Sequence, residues 1–305
     1  MTNSVLVTGA FGFLGRHVAR ACAIAGHTVR GIGHGSWTRT EWRKWGLSEW
    51  SSTDITREAM VSYGGEPDLI IHCAGSGSVG FSISNPSQDF DRTVGTTQIV
   101  LDFVRLYSPI TRVVLPSSAS VYGNATQIPI TVTAPLRPVS PYGVHKKIAE
   151  ELGFSYSQHF GVSVAIVRLF SVYGIGLRKQ LLWDACTKLS SGPATFGGTG
   201  HETRDWLHVE DAARLLLAVG FGHASNCLVM NGGTGFGVPT REVVEKIALA
   251  FGGVDRAQFS GFSRQGDPGH LVADMDGASA LKWSPSHNLN EELARYLDWF
   301  KSGAL

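Results

Sequence analysis

The sequence has little with which to cross a membrane, hold a polyanion or build a disulfide framework. Its 305 residues include four cysteines, Cys22, Cys73, Cys186 and Cys227. They are scattered without a C-x-x-C pair, which argues against a disulfide scaffold or a thiolate zinc site and suits reduced thiols in the cytoplasm. No apolar run approaches the ~20 residues needed to span a bilayer. The N-terminus, MTNSVLVTGA, lacks the basic stretch and long apolar core of a signal peptide. Lys+Arg is 26 against Asp+Glu 25, a net charge of +1, so no global field draws nucleic acid or an anionic membrane. Charged residues are 17% and hydrophobic ones 43%; a sizeable core can form and disorder is not expected. Repeats and low-complexity segments are absent. What abounds is glycine: 37 residues, about 12% of the chain against a usual ~7%.

Short apolar runs alternate with longer amphipathic ones. Strands are expected at Val5–Val7, Thr28–Ile32, Leu69–Ile71, Val113–Leu115 and Val164–Val167, with helices at Leu14–Ala25 and near 86–107 and 141–160. Continuous apolar strands separated by helices imply an α/β fold, a doubly wound parallel sheet covered on both faces. Beyond about residue 170 glycine-rich loops (192–200 and 231–237) alternate with helices near 179–191, 208–221, 239–252 and 290–302. The expected division is 1–170 for the sheet domain and 171–305 for a smaller lobe, with the chain free to cross back.

SVLVTGAFGFLGRHVARA (4–21) reads as strand, turn and helix, with Gly9, Gly12 and Gly15 spaced three and three. The first glycine permits the tight turn, the second lets backbone reach a pyrophosphate, and the third lets helix and strand pack closely. The helix N-terminus offers N–H groups to the phosphates. An acidic residue ending the second strand would bind adenosine ribose hydroxyls. None is present: the strand runs Val29-Arg30-Gly31-Ile32-Gly33-His34, and His34, Ser36 and Arg39 could instead meet a 2′-phosphate. NADP(H) is therefore favoured, with NAD(H) as the alternative. Asp54 could accept from the adenine amino group, or simply cap a helix.

Tyr142 and Lys146 are four apart in SPYGVHKKIAEE and share a helix face. Upstream, VVLPSSASVYG (113–123) ends a strand in a serine cluster, putting Ser118 at the sheet edge where open α/β folds bind ligands. A phenol titrates near ~10, and a neighbouring ammonium is expected to lower that. Together the three residues make an acid/base unit for interconverting carbonyl and alcohol beside a nicotinamide.

In combination these features resemble the extended short-chain dehydrogenase/reductase family of nucleotide-sugar epimerases, dehydratases and reductases. The likeness runs from Val5 to about Phe300. It also rests on Asp54-Ile55, on Ile71-His72-Cys73-Ala74-Gly75, on Arg168-Leu169-Phe170-Ser171-Val172-Tyr173-Gly174, on Thr203 to Val209 and on Arg264-Gln265-Gly266-Asp267. It implies a Rossmann-type sheet with a substrate lobe. It implies Tyr142 as proton donor or acceptor, Ser118 as hydrogen-bond partner of the substrate oxygen, and Lys146 as pKa modulator and ribose ligand. Cofactor contacts are expected from Gly9, Phe11, Gly12, Phe13, Leu14, Gly15, His34, Arg39, Asp54, Ile55, Cys73, Ala74, Gly75, Phe170 and Val172. Substrate contacts are expected from Ser118, Ser120, Tyr142, Ser171, Arg204 and Arg264, the two arginines on the diphosphate. The resemblance also implies a homodimer through a four-helix bundle of the 90–107 and 145–160 helices, and a setting in cell-surface polysaccharide synthesis.

Departures narrow the class. Dehydratases of this kind carry an Asp-Glu pair after the catalytic Ser or Thr; here Ala119 and Ser120 stand there, which excludes water elimination. Ser171 is shorter than the Asn frequent in 4-epimerases, and Arg92 stands where Asn is frequent. With no ribose-binding acid, the reading favours an NADP(H)-dependent reductase of a nucleoside-diphospho 4-keto-6-deoxyhexose. A nucleotide-sugar 4-epimerase is the alternative, and a non-catalytic cofactor-sensing relative the second. Four tryptophans (Trp37, Trp42, Trp45, Trp50) cluster in residues 36–50. They are read as a long loop pinned by aromatic packing in preference to a lid over adenosine. His72 and Cys73 read as core and cofactor-edge residues, and no metal site is expected.

Overall fold

The computed structural model describes residues 2–222, 227–262 and 268–303. The first half runs β1 (Ser4–Thr8), α1 (Phe13–Ile24), β2 (Thr28–Gly33), α2 (Arg39–Lys44), β3 (Glu49–Ser52), α3 (Arg57–Tyr63) and β4 (Leu69–His72). Then come α4 (Val79–Ser84), α5 (Pro86–Phe90), a π-helical stretch (Asp91–Gly95), α6 (Thr96–Tyr107), β5 (Arg112–Ser118), α7 (Pro141–Phe160) and β6 (Val164–Leu169). The remainder is β7 (Ser171–Tyr173), α8 (Gln180–Ser191), β8 (Ala194–Phe196), β9 (Thr203–His208), α9 (Val209–Gly222) and β10 (Cys227–Gly232). It ends with β11 (Gly237–Pro239), α10 (Thr240–Ala250), β12 (Ala257–Phe259), β13 (His270–Leu271) and α11 (Leu289–Lys301).

Seven strands form one parallel sheet in the order β10-β6-β5-β4-β1-β2-β3. Its interior strands carry runs of apolar residues (Val5–Val7, Leu69–Ile71, Val113–Leu115, Val164–Val167) because alternate residues meet different helical layers. On β1, Val5 and Val7 enter the cluster with Val18, Cys22, Ala212 and Leu216, while Leu6 enters the one with Met60, Leu101 and Val104. The strand order reverses between β1 and β4, which opens a crevice at their C-terminal ends. A second sheet sets β9 between β11 and β13, with β7 also pairing β9, and β8 pairs β12. This part has its own core around Tyr173, Trp206, Val244 and Tyr296.

The chain does cross back. β10 supplies the seventh strand, and α9 packs on α1 and β5. We retain residue 170 only as a proposed boundary for the first crossing. Two local expectations need correction. The 86–107 stretch is broken by a π-helical turn, which no hydrophobic period reveals. The tryptophan stretch is ordered as α2 and β3, because Thr38 and Glu41 form a capping box that starts a helix there. Trp37 and Trp50 pack at 5.2 Å and Trp37 lies 4.9 Å from Phe11, so these rings do pin the segment to its own domain.

Candidate active site

The turn after β1 needs its glycines for backbone reasons. Gly9 has φ +67°, and a Cβ on it would lie 2.5 Å from Ala74 N. A Cβ on Gly15 would lie 2.2 Å from Gly9 O. Gly12 N donates to Gly9 O at 2.9 Å and Gly12 caps α1 with no side-chain bond; the first turn carries no acid. This end of α1 opens on a cleft of about 1050 Å³ lined by Gly12, Phe13, Leu14 and Gly15. Uncapped N–H groups behind a glycine turn fit the pyrophosphate of a dinucleotide.

The same cleft is lined by Cys73, Ala74, Gly75, Ser118, Ser120, Tyr142, Lys146, Phe170, Ser171, Val172 and Arg204. The structure therefore brings most of the expected residues into one place. Others lie elsewhere. His34, just past β2, Arg39, opening α2, and Asp54, just past β3, are exposed and outside that lining. Ile55 is core, and Thr56, not Asp54, caps α3. Gly9 supports the turn from beneath. Phe11 packs on Trp37 and against the Arg16 guanidinium, which also contacts Trp37 and Trp45 at 5.4–5.5 Å. Arg264 falls outside the described residues.

Tyr142 and Lys146 project from the first turns of α7. Pro141 opens this helix, and the Ser140 side chain caps it by accepting from Gly143 N at 3.2 Å. Tyr142 N donates to Ser82 Oγ at 3.0 Å. Ser118 acts on the phenol by lowering its pKa, and its Oγ accepts from Ser120 N at 3.2 Å. Lys146 Nζ donates to Pro116 O at 3.0 Å. The expected lowering of the phenol pKa is absent in this state. Burial pushes Tyr142 up to about 12, and Asp89 adds to that against the pull of Ser118. Burial likewise depresses the Lys146 ammonium to about 8, against the opposing Cys73, Asp89 and Glu150. Burial is the largest cause of the Tyr142 shift, and the Lys146 ammonium donates to a carbonyl of β5.

His72 behaves as a core histidine. Its Nδ1 meets Thr8 Oγ1 at 2.7 Å and its Nε2 meets Thr96 Oγ1 at 3.2 Å, and burial lowers it to about 3. Asp89 was not foreseen. It is fully buried, with one oxygen 2.6 Å from His145 Nδ1 and the other without a partner among the described residues. Nothing local marks it, since its contact lies 56 positions away. Of the cleft-lining residues, Ser120 and Trp206 have Oγ and Nε1 buried without partners among the described residues. Arg204 Nη1 donates to Thr203 O at 2.9 Å and Gly269 O at 3.0 Å.

A parallel doubly wound sheet, a glycine-turn helix end and a Ser–Tyr–Lys group define a nicotinamide-dinucleotide enzyme. Residues 5–221 match the family model of the NAD dependent epimerase/dehydratase family, and the chain belongs to that family. It is 30% identical to UDP-glucose 4-epimerase of Azospirillum brasilense, covering 98% of this chain and 92% of that protein. It is 28% identical to UDP-glucose 4-epimerase of Corynebacterium glutamicum, covering 93% and 91%. The solved structure of MoeE5 in complex with UDP-glucuronic acid and NAD is similar, with TM-score 0.88, 29% identity and coverage of 98% and 99%. The chain is thus an enzyme of the extended short-chain dehydrogenase/reductase type. Among the described residues no helix is long and apolar enough to cross a membrane.

Proposed function

We propose that this protein is an NAD-dependent 4-epimerase of a nucleoside-diphospho sugar. The observation that carries the reading is the shared cleft, whose lining holds Ser118, Tyr142 and Lys146 together with the end of α1 and Arg204. The relatives' names support the epimerase alternative over the reductase expectation. The family description and the NAD-bound neighbour support NAD over NADP(H).

Gly12 to Gly15 would hold the pyrophosphate, with Cys73 to Gly75, Phe170 and Val172 flanking the nicotinamide half and Lys146 reaching its ribose. Bound there, the cofactor supplies a reversible hydride acceptor beside C4 of the sugar. Tyr142 takes the C4 hydroxyl proton and returns it once the ketone is reduced on its other face; Ser118 holds the oxygen throughout. Arg204 anchors the diphosphate so that the sugar can turn while the nucleotide stays bound. Ser120 and Ser171 offer hydroxyls to the sugar, and Ala119 leaves no acid for elimination. A homodimer through the 90–107 and 145–160 helices is part of the proposal, supported by exposed Phe90 and Phe160 on them; light scattering tests it.

Incubation with UDP-glucose or UDP-glucuronate, followed by NMR, should show the C4 epimer with no net use of NAD(P)H. Stoichiometric NADPH oxidation on a 4-keto sugar would instead establish the reductase. Absence of turnover across a broad panel of nucleotide sugars would favour the cofactor-sensing relative.

A further inference from the structure

Away from the cleft, three segments distant in sequence bring metal-ligating side chains together. His208 ends β9, Glu210 opens α9, and His287 precedes α11. One ligand atom from each lies within 4.8 Å of the others. His287 Nε2 is 3.4 Å from Glu210 Oε2. Two ligands about 2.0–2.1 Å from a tetrahedral Zn²⁺ stand about 3.3 Å apart, so this pair already has the required spacing. The His208 and His287 rings lie with centroids 4.1 Å apart and planes 30° apart; His208 Nδ1 accepts from Glu210 N at 3.4 Å, a long bond that a cation at Nδ1 would replace.

The surroundings prepare the ligands. His287 Nδ1 faces buried Asp211 Oδ1 at 3.0 Å, which fixes the proton on Nδ1 and leaves the Nε2 lone pair for a cation. That is the carboxylate–histidine arrangement that orients metal-bound imidazoles. Asp211 is itself held by Arg214 and by the Ser286 and His287 N–H groups. His208 Nε2 lies 3.8 Å from Glu292 Oε2, whose partner oxygen meets Arg295. A further observation comes from α1. His17 is nine-tenths buried, its Nδ1 has no hydrogen-bond partner among the described residues, and that atom is 4.0 Å from Glu210 Oε1.

We propose that His208, Glu210 and His287 form a binding site for a divalent transition-metal cation, Zn²⁺ being the best match, with His17 or water completing it. Two imidazoles and one carboxylate are a Zn²⁺ donor set, whereas Mg²⁺ and Ca²⁺ call for oxygen ligands. The ion would tie α1, which carries the dinucleotide turn, to β9, α9 and the approach to α11. The site is structural and does not depend on the epimerase reading.

Tag-free protein, stripped with a chelator and returned to chelator-free buffer, is titrated with Zn²⁺ by calorimetry and with Co²⁺ by visible absorption. The expected result is one equivalent bound, a Co²⁺ spectrum of tetrahedral intensity, and a Tm that rises with Zn²⁺ concentration. H287A and E210Q, both at part-exposed positions, should weaken binding at least about 100-fold with unchanged circular dichroism. If H287A fails to fold, E210Q alone decides. Failure of the wild type to take up one equivalent would overturn the proposal, as would a folded variant that binds as tightly as the wild type. Epimerase assays on the stripped protein keep failure of this site separate from failure of the activity.

Discussion

Truncating Glu150 to Ala tests what holds the catalytic group together. Glu150 lies on α7 one turn beyond Lys146, and its side chain is 1% exposed. It accepts from Ser117 Oγ at 2.5 Å, from Arg168 Nε at 3.1 Å and from Arg168 Nη2 at 2.8 Å. Arg168, on β6, is 4% exposed. Its Nη1 keeps Tyr122 Oη and Val132 O in the variant, but Nε and Nη2 lose their carboxylate. Stranding a buried guanidinium in this way costs about 3–5 kcal/mol, a large share of a typical ~5–15 kcal/mol. Removing both charges, as in E150L/R168M, should recover most of that loss. What remains is about 1–2 kcal/mol from the orphaned Ser117 hydroxyl and imperfect packing. Urea unfolding of wild type, E150A and the double variant measures all three. Since Ser117 precedes Ser118, the double variant should also lose turnover, by up to about 100-fold, while keeping its cofactor. The reasoning is refuted if E150A falls within about 1 kcal/mol of wild type, or if the double variant is no more stable than E150A.

Y142F should lower kcat by about 10²–10⁴ with cofactor content unchanged; wild-type turnover would discard the assignment of the phenol. The Lys146 ammonium, depressed to about 8, loses its charge as pH rises through that value. Activity should therefore fall on the alkaline side near pH 8, and K146R, always charged, should move that limb beyond the measurable range. An unmoved limb would assign it to another group. G15A would drive a methyl to 2.2 Å from Gly9 O, against backbone that cannot swing away, and the protein should purify without cofactor. G95A, where an added methyl meets nothing within 4 Å, is the matched control, and equal cofactor content in the two would contradict the role given to the turn.

The interior strands of the main sheet were legible because they bury both faces and so carry short apolar runs; the edge strands β3 and β10 were not. Cys227–Gly232 is short and ends in Asn-Gly, so it reads as the start of a glycine loop; only its pairing with β6 from Val164 to Leu169 makes it a strand. Ser118, Tyr142 and Lys146 were readable because helical spacing and a strand end put them on one edge. Asp89, Trp206 and the His208–Glu210–His287 group were not, because each depends on contacts between segments far apart in sequence. The direction of the Tyr142 shift also differs from the expectation: spacing puts a cation one turn away, but only the fold shows that the phenol is buried and that Lys146 donates to Pro116 O.

The cofactor choice turns on the same kind of distinction. A missing carboxylate after β2 argued for NADP(H), on the premise that His34 and Arg39 would gather around a 2′-phosphate. A phosphate of that charge needs converging donors. His34 and Arg39 are exposed outside the cleft lining. The Arg16 guanidinium, rooted beside the turn, is held by Phe11 O at 2.5 Å and by the faces of Phe11, Trp37 and Trp45. The proposed NAD asks only for ribose contacts, and the proposed epimerase would recycle one bound cofactor. H34A/R39A should accordingly leave the retained NAD unchanged. A selective loss of NADP(H) binding in that variant, from a wild type that prefers NADP(H), would reverse the argument and bring back the reductase.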